Sequence, residues 1–87
     1  MLEYLVEFIG TFIFLSMFII TGSPTFVGFT LAVMVWVGKK FSVGNFNPVF
    51  SLMLFMNDKL NLKQLALQIV AQLLGGIAAF YYYKIAQ

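Results

Sequence analysis

Asn47-Pro48 and Glu7 are the residues of this 87-residue chain whose types and positions could do chemistry, and that chemistry is recognition rather than bond making. Pro fixes φ near the helical value and lacks the N–H that a first helical position leaves unpaired, so Pro48 suits that position and Asn47 the N-cap before it. A residue preceding Pro is pushed out of the α region, as an N-cap must be, and the Asn side-chain oxygen can accept a freed backbone N–H. If this helix begins near mid-membrane, the roughly half positive charge at its N-terminus is poorly screened and repels cations, and the Asn47 amide offers a donor to a passing solute. An Asn-Pro pair can also simply start an interfacial helix after a loop. His and Cys are absent, which removes soft metal sites, disulfides and Ser-His or Cys-His nucleophile pairs. No cofactor, no metal and no enzyme activity are implied.

Glu7 lies about one and a half turns into an apolar run, where an ionisable group costs a few kcal/mol in lipid unless it faces protein or water. It should therefore point inward; a near-surface Glu that snorkels or is solvated is the plainer alternative. Further along, Gln64, Gln68 and Gln72 recur every four residues beside Ala71, Gly75 and Ala79, giving a polar stripe next to a small-residue stripe. Both stripes suit helix contact, and the amides fit interhelical bonding at least as well as a pore wall.

The elements that must position these groups read as membrane segments. The chain is 62% hydrophobic and 9% charged, far from the mix of a water-soluble domain. Its net charge of +2 comes from five scattered Lys and no Arg, too sparse for a basic face that binds nucleic acid. A first run over 2–21 spans roughly 30 Å as a helix. It carries Glu3 and Glu7 where a signal peptide would carry Lys or Arg, so it is expected to stay in the mature protein. Thr21-Gly22-Ser23-Pro24 is the densest turn signal. A second helix follows over 25–40, with Trp36, Lys39 and Lys40 as an aromatic-then-basic end. The stretch 41–57 combines a polar loop with a short apolar helix, Pro48 to Met56, which reaches only about 14 Å and cannot span. A re-entrant half-helix suits it. A last span covers 63–84, anchored by Tyr81, Tyr82, Tyr83 and Lys84. The expectation is one membrane domain, 1–87, an all-α membrane protein with three transmembrane helices plus one re-entrant half-helix.

The segment Ser42-Val43-Gly44-Asn45-Phe46-Asn47-Pro48-Val49-Phe50-Ser51-Leu52 resembles the first Asn-Pro-Ala loop of the major intrinsic protein family, the aquaporins and glycerol channels, where the usual pattern is Ser-Gly-x-His-x-Asn-Pro-Ala-Val-Ser/Thr. Glu7-Phe8-Ile9-Gly10-Thr11-Phe12 is similar to that family's first helix, and Ile69-Val70-Ala71-Gln72-Leu73-Leu74-Gly75-Gly76 to its third. The three motifs stand in the family's order and together cover nearly the whole chain. The resemblance implies a pore motif at Asn47, Pro48 and Val49, with Glu7 holding the pore loop through hydrogen bonds to its backbone and Gln72 matching the family beside it. Carbonyls of Gly44, Asn45 and Phe46 are then expected to line the path, since non-helical backbone at membrane depth must face a cavity.

The departures from the family pattern are specific. Val49 stands where the motif has Ala, and Asn45 where the loop has His. Family channels contain two inverted repeats, and the filter Arg follows the second Asn-Pro-Ala; this chain resembles one repeat and holds no Arg. The filter aromatic of the second helix falls at or near Val27, flanked by Phe26 and Phe29.

The function these features imply is half of a passive pore for water or a small neutral solute in a lipid bilayer, completed by an inverted second half-channel chain or an inverted homodimer. A non-conducting structural or assembly subunit and a holin-like permeabiliser are the alternatives, although a holin more often ends in a basic tail. Lys39, Lys40, Lys59 and Lys63 fall on one side against Lys84 on the other, which by the positive-inside rule puts the N-terminus in the cytoplasm.

Overall fold

A computed structural model describes residues 1–42 and 44–87; Val43, part of the expected pore loop, lies outside the described residues. Four helices follow one another: α1 (Leu2–Thr21), α2 (Pro24–Gly38), α3 (Pro48–Met56) and α4 (Leu62–Ala86), with no strand among the described residues. Helix α1 packs against both α4 and α2, and α3 packs on α4. The molecule measures 41 × 23 × 20 Å.

Each boundary has a local cause. Helix α1 ends where Gly22 turns left-handed (φ 59°) and its N–H bonds to the Phe18 carbonyl, a conformation glycine adopts without steric cost. Ser23 caps α2 by accepting from Phe26 N–H, and Pro24 takes the first helical position. The helix thus opens one residue before the Thr25 expected from sequence, through the same cap-then-Pro logic that holds at Asn47-Pro48. It closes at Gly38, and Lys39 and Lys40 lie in a turn whose N–H groups reach back to Val35 and Val37. Helix α4 opens at Leu62, because Asn61 and Gln64 bond reciprocally, side chain to backbone, at 2.8 and 2.9 Å, a capping box. The helix thus opens one residue before the expected Lys63 and runs two residues past the expected Lys84. Offsets of one or two residues are ordinary at fraying ends.

Small residues set the closest approach in the bundle. A methyl added at Gly75 would sit 2.6 Å from the Phe8 carbonyl and 3.0 Å from Thr11 Cβ, so α1 and α4 meet backbone to backbone there. Ala71 and Ala79 flank that point and are buried.

By length and composition α1 and α4 are able to cross a membrane, and α2, at 15 residues, is a shorter apolar helix. Only 22% of the α1 window and 33% of the α4 window is buried within the chain, so most of this apolar surface faces outward. A core helix of a water-soluble domain would hide it.

Candidate functional site

Glu7 is fully buried at the middle of the bundle, and four donors converge on its carboxylate. Oε2 accepts from the Ser42 hydroxyl at 2.5 Å and from Asn45 N–H at 3.2 Å. Oε1 accepts from Phe46 N–H at 2.8 Å and from Gln72 Nε2 at 3.0 Å. A carboxylate offers about four acceptor positions, so this one is saturated. It fastens the loop that precedes α3 to α1 and α4.

A second layer completes the network. The Asn45 amide nitrogen donates to Ser51 Oγ and to Gln68 Oε1, each at 3.1 Å. Ser51 Oγ donates to Gln68 Oε1 at 3.0 Å and accepts from Gln72 Nε2 at 2.9 Å. Ser51 and Gln68 are fully buried. The donor arithmetic closes: two hydrogens on Asn45 Nδ2, two on Gln72 Nε2 and one on Ser51 all find acceptors. Four other buried atoms, Thr11 Oγ1, Ser16 Oγ, Gln68 Nε2 and Gln72 Oε1, have no partner among the described residues.

The loop is held in a conformation its residues would not choose. Gly44 has φ 65°, and its N–H donates to Ser42 Oγ at 3.0 Å. Phe46 has φ 56°, unusual for a bulky side chain. Its ring is 2% exposed and lies in a socket between two glycines: an added methyl would strike it 2.6 Å away at Gly38 and would overlap it at Gly10. Burial of the ring and the bond to Glu7 over-determine the strained backbone.

Immediately beyond this anchor, Asn47 adopts an extended backbone (φ −152°, ψ 125°), and its Oδ1 accepts from Val49 N–H at 2.8 Å. That bond assigns the oxygen to the cap and leaves the amide nitrogen without a bond among the described residues. Asn47, Pro48 and Phe46 line an open cleft of about 710 Å³ between α1 and α4, with Thr11 and Gln72 on its walls. Apart from Tyr81 the rest of the wall is apolar.

The structure therefore brings Glu7 of α1 and Gln72 of α4 onto the loop, where Asn45 and Phe46 bond to Glu7, and sets Asn47 and Pro48 on the cleft beside it. Gly44 and Asn45, expected on the same path, line instead a separate depression against α2 with Leu31 and Val35. Val49 does not join them: it is 69% exposed and faces a separate depression with Leu52 and Met53. Val27 is half-buried, and its neighbours Phe26 and Phe29 are exposed. Three members of the network, Ser42, Ser51 and Gln68, carry weight that sequence reading did not give them. The i, i+4 pair Gln68 and Gln72 was the signal, and it resolves to interhelical bonding. Among the described residues no three His, Cys, Asp or Glu gather where they could hold a metal. The chain matches no protein-family model, no curated protein and no solved structure.

Proposed function

We propose that the chain is one repeat of an aquaporin-like pore, with α1, α2 and α4 crossing a bilayer and α3 entering it halfway, to give a passive path for water or small neutral solutes. One observation carries this reading: a buried carboxylate on α1 spends all its acceptor capacity on fixing the loop that ends in Asn47-Pro48. A helix that merely began at a membrane surface would need no such anchor, because water would satisfy its loop.

The dimensions of three helices agree: α1 is about 30 Å long and α4 about 37 Å, against roughly 30 Å of hydrocarbon, whereas nine residues of α3 reach about 14 Å. Helix α2, at 15 residues, reaches about 22 Å and crosses only with Trp36, Lys39 and Lys40 extending its end to the interface. The 41 Å long axis is the thickness of a bilayer with its headgroup layers. Each end carries an aromatic-cation pair, Lys40 over Trp36 at 4.8 Å and Lys84 over Phe80 at 5.7 Å, a composition suited to the interface. At the inner end of α3 the helix N-terminus gives a positive field that disfavours cations, and the free Asn47 amide gives a donor to a neutral solute.

A half-helix covers half the membrane, so a second must come from the opposite face to meet Pro48 near the midplane. The bias of Lys39, Lys40, Lys59 and Lys63 against Lys84 favours one orientation for this chain, N-terminus in the cytoplasm, and hence a distinct inverted half over an inverted copy. The test is osmotic swelling, measured by stopped flow, of liposomes holding two copies of the chain joined end to end so that the second is inverted, compared with the same fusion carrying Asn47→Asp in both copies. Neutral-solute flux abolished or made cation-leaky by the variant supports the pore; flux indifferent to Asn47 removes its main support and leaves a structural subunit.

A further inference from the structure

A second groove, of about 730 Å³, follows the outer surface between the first halves of α1 and α4, away from the Asn47 cleft. Its body is apolar: Ala71 forms a shallow floor, and Phe8, Leu67, Val70 and Leu74 form the walls. Its mouth is polar, with Glu3, Tyr4 and Lys63. Two features of this groove identify what fits it. From Lys63 to Leu74 it follows about three turns of α4, roughly 16 Å, which is close to half of a 30 Å hydrocarbon core. A partner helix would use the whole span; an occupant that stops at the midplane with its polar end outermost has the shape of one lipid in one leaflet. The mouth also carries both signs of charge.

We propose that this groove seats a single phospholipid from the leaflet on the Lys-rich side, one acyl chain lying along Phe8 and Val70, its phosphate at the Lys63 ammonium and a primary-amine headgroup of the ethanolamine type at the Glu3 carboxylate. The inference rests on the membrane-spanning reading above but not on conduction. The charges select the headgroup. An anionic lipid without an amine would satisfy Lys63 and leave Glu3 facing a phosphate. A quaternary amine would neutralise Glu3 but has no N–H to donate to it. Of the ethanolamine, choline and glycerol headgroups, ethanolamine alone meets both residues as a charge-assisted donor and acceptor.

The experiment is native mass spectrometry of the full chain released from detergent micelles, titrated in turn with dioleoyl-phosphatidylethanolamine, -phosphatidylcholine and -phosphatidylglycerol. The expected result is one bound phosphatidylethanolamine per chain, held at least fivefold more tightly than either other lipid. Lys63→Gln should weaken it roughly fivefold, the scale of one Lys at a lipid surface, and Glu3→Gln should abolish the preference over phosphatidylglycerol. Val70→Trp, at a half-exposed position, should fill the groove and lower binding of all three lipids without unfolding the bundle. Lys59→Gln, on the same side but outside the groove, should change nothing. Equal affinity for the three lipids, or a loss at Lys59→Gln equal to that at Lys63→Gln, overturns the site while leaving the membrane reading intact. A chain that stays soluble when detergent is removed without lipid overturns the membrane reading itself.

Discussion

Glu7 and Phe46 stand 39 positions apart, and the carboxylate of one accepts the backbone N–H of the other at 2.8 Å. Through this bond the first helix dictates where the third begins, since the next residue, Asn47, is the α3 cap. Glu7→Gln keeps the shape and removes the acceptor symmetry: each carboxylate oxygen serves two donors, so an amide nitrogen at either position faces donors with a donor. The expected loss is about 2 kcal/mol or more, read as a drop in thermal unfolding temperature in detergent. An unchanged midpoint would mean that the loop is held by something else.

The Phe46 socket predicts an energetic coupling. Gly10→Ala drives a methyl into the ring and should cost about 1–3 kcal/mol. In a Phe46→Ala background the same substitution should cost almost nothing, because the ring that opposed it is gone. A double-mutant cycle by thermal or denaturant unfolding measures the difference, and additive effects would contradict a direct contact.

Two buried hydroxyls should behave oppositely. Ser51 is the hub for Asn45, Gln68 and Gln72, so Ser51→Ala strands buried donors at about 1–3 kcal/mol. Thr11 Oγ1 has no partner among the described residues, so Thr11→Val, close in shape, should be neutral or slightly stabilising. Matched losses at both sites would show that Thr11 has a bonding role of its own.

These residues also mark how far sequence carries. Helix ends were legible at Gly22 and Asn47-Pro48, where a cap coincides with a glycine or proline and the cause is local, while the same signal at Ser23-Pro24 was read one residue late. The inward-facing Glu7 followed from the cost of an ionisable group in lipid. Bonds from the loop backbone to Glu7 were implied by the family resemblance, but the Ser42 hydroxyl and the Gln72 amide as the other two donors were not, because only the packing of α1 on α4 through Gly75 brings them together. The Phe46 socket was hidden for the same reason: two glycines 28 positions apart and a positive φ have no shared local signature. Val49, grouped with Asn47 and Pro48 by the family resemblance, turns outward because successive helical residues point about 100° apart.

Asn47 separates capping from conduction. Asn47→Asp retains an oxygen for Val49 N–H but places a carboxylate at the half-helix mouth, so stability should hold while cation leak appears. Asn47→Ala should cost about 1 kcal/mol of capping and remove the donor that faces the cleft. Paired thermal unfolding and ion-flux assays distinguish the two outcomes.

Topology is independently testable. A reporter at Ser23 should lie outside the cytoplasm and one at Asp58 inside it, if α2 crosses and α3 returns to its starting side. A cytoplasmic Ser23 reporter would contradict the orientation, and Ser23 and Asp58 on the same side would contradict the crossing.

The central claim, that a pore forms only when two half-helices meet from opposite faces, is tested most directly by water flux through vesicles holding this chain fused end to end, through a polar linker with no membrane-crossing segment, to a second copy. Three crossings leave the C-terminus on the far side, so the second copy starts there and its Asn47-Pro48 enters from the opposite face; a linker with one added membrane-crossing helix makes the two copies parallel and serves as the control. The account predicts stopped-flow water permeability well above that of vesicles containing isolated single chains, and its loss when Asn47 is replaced by Asp in both copies. Equal flux per chain from demonstrably isolated monomers, or no flux from a correctly inverted fusion, would contradict it.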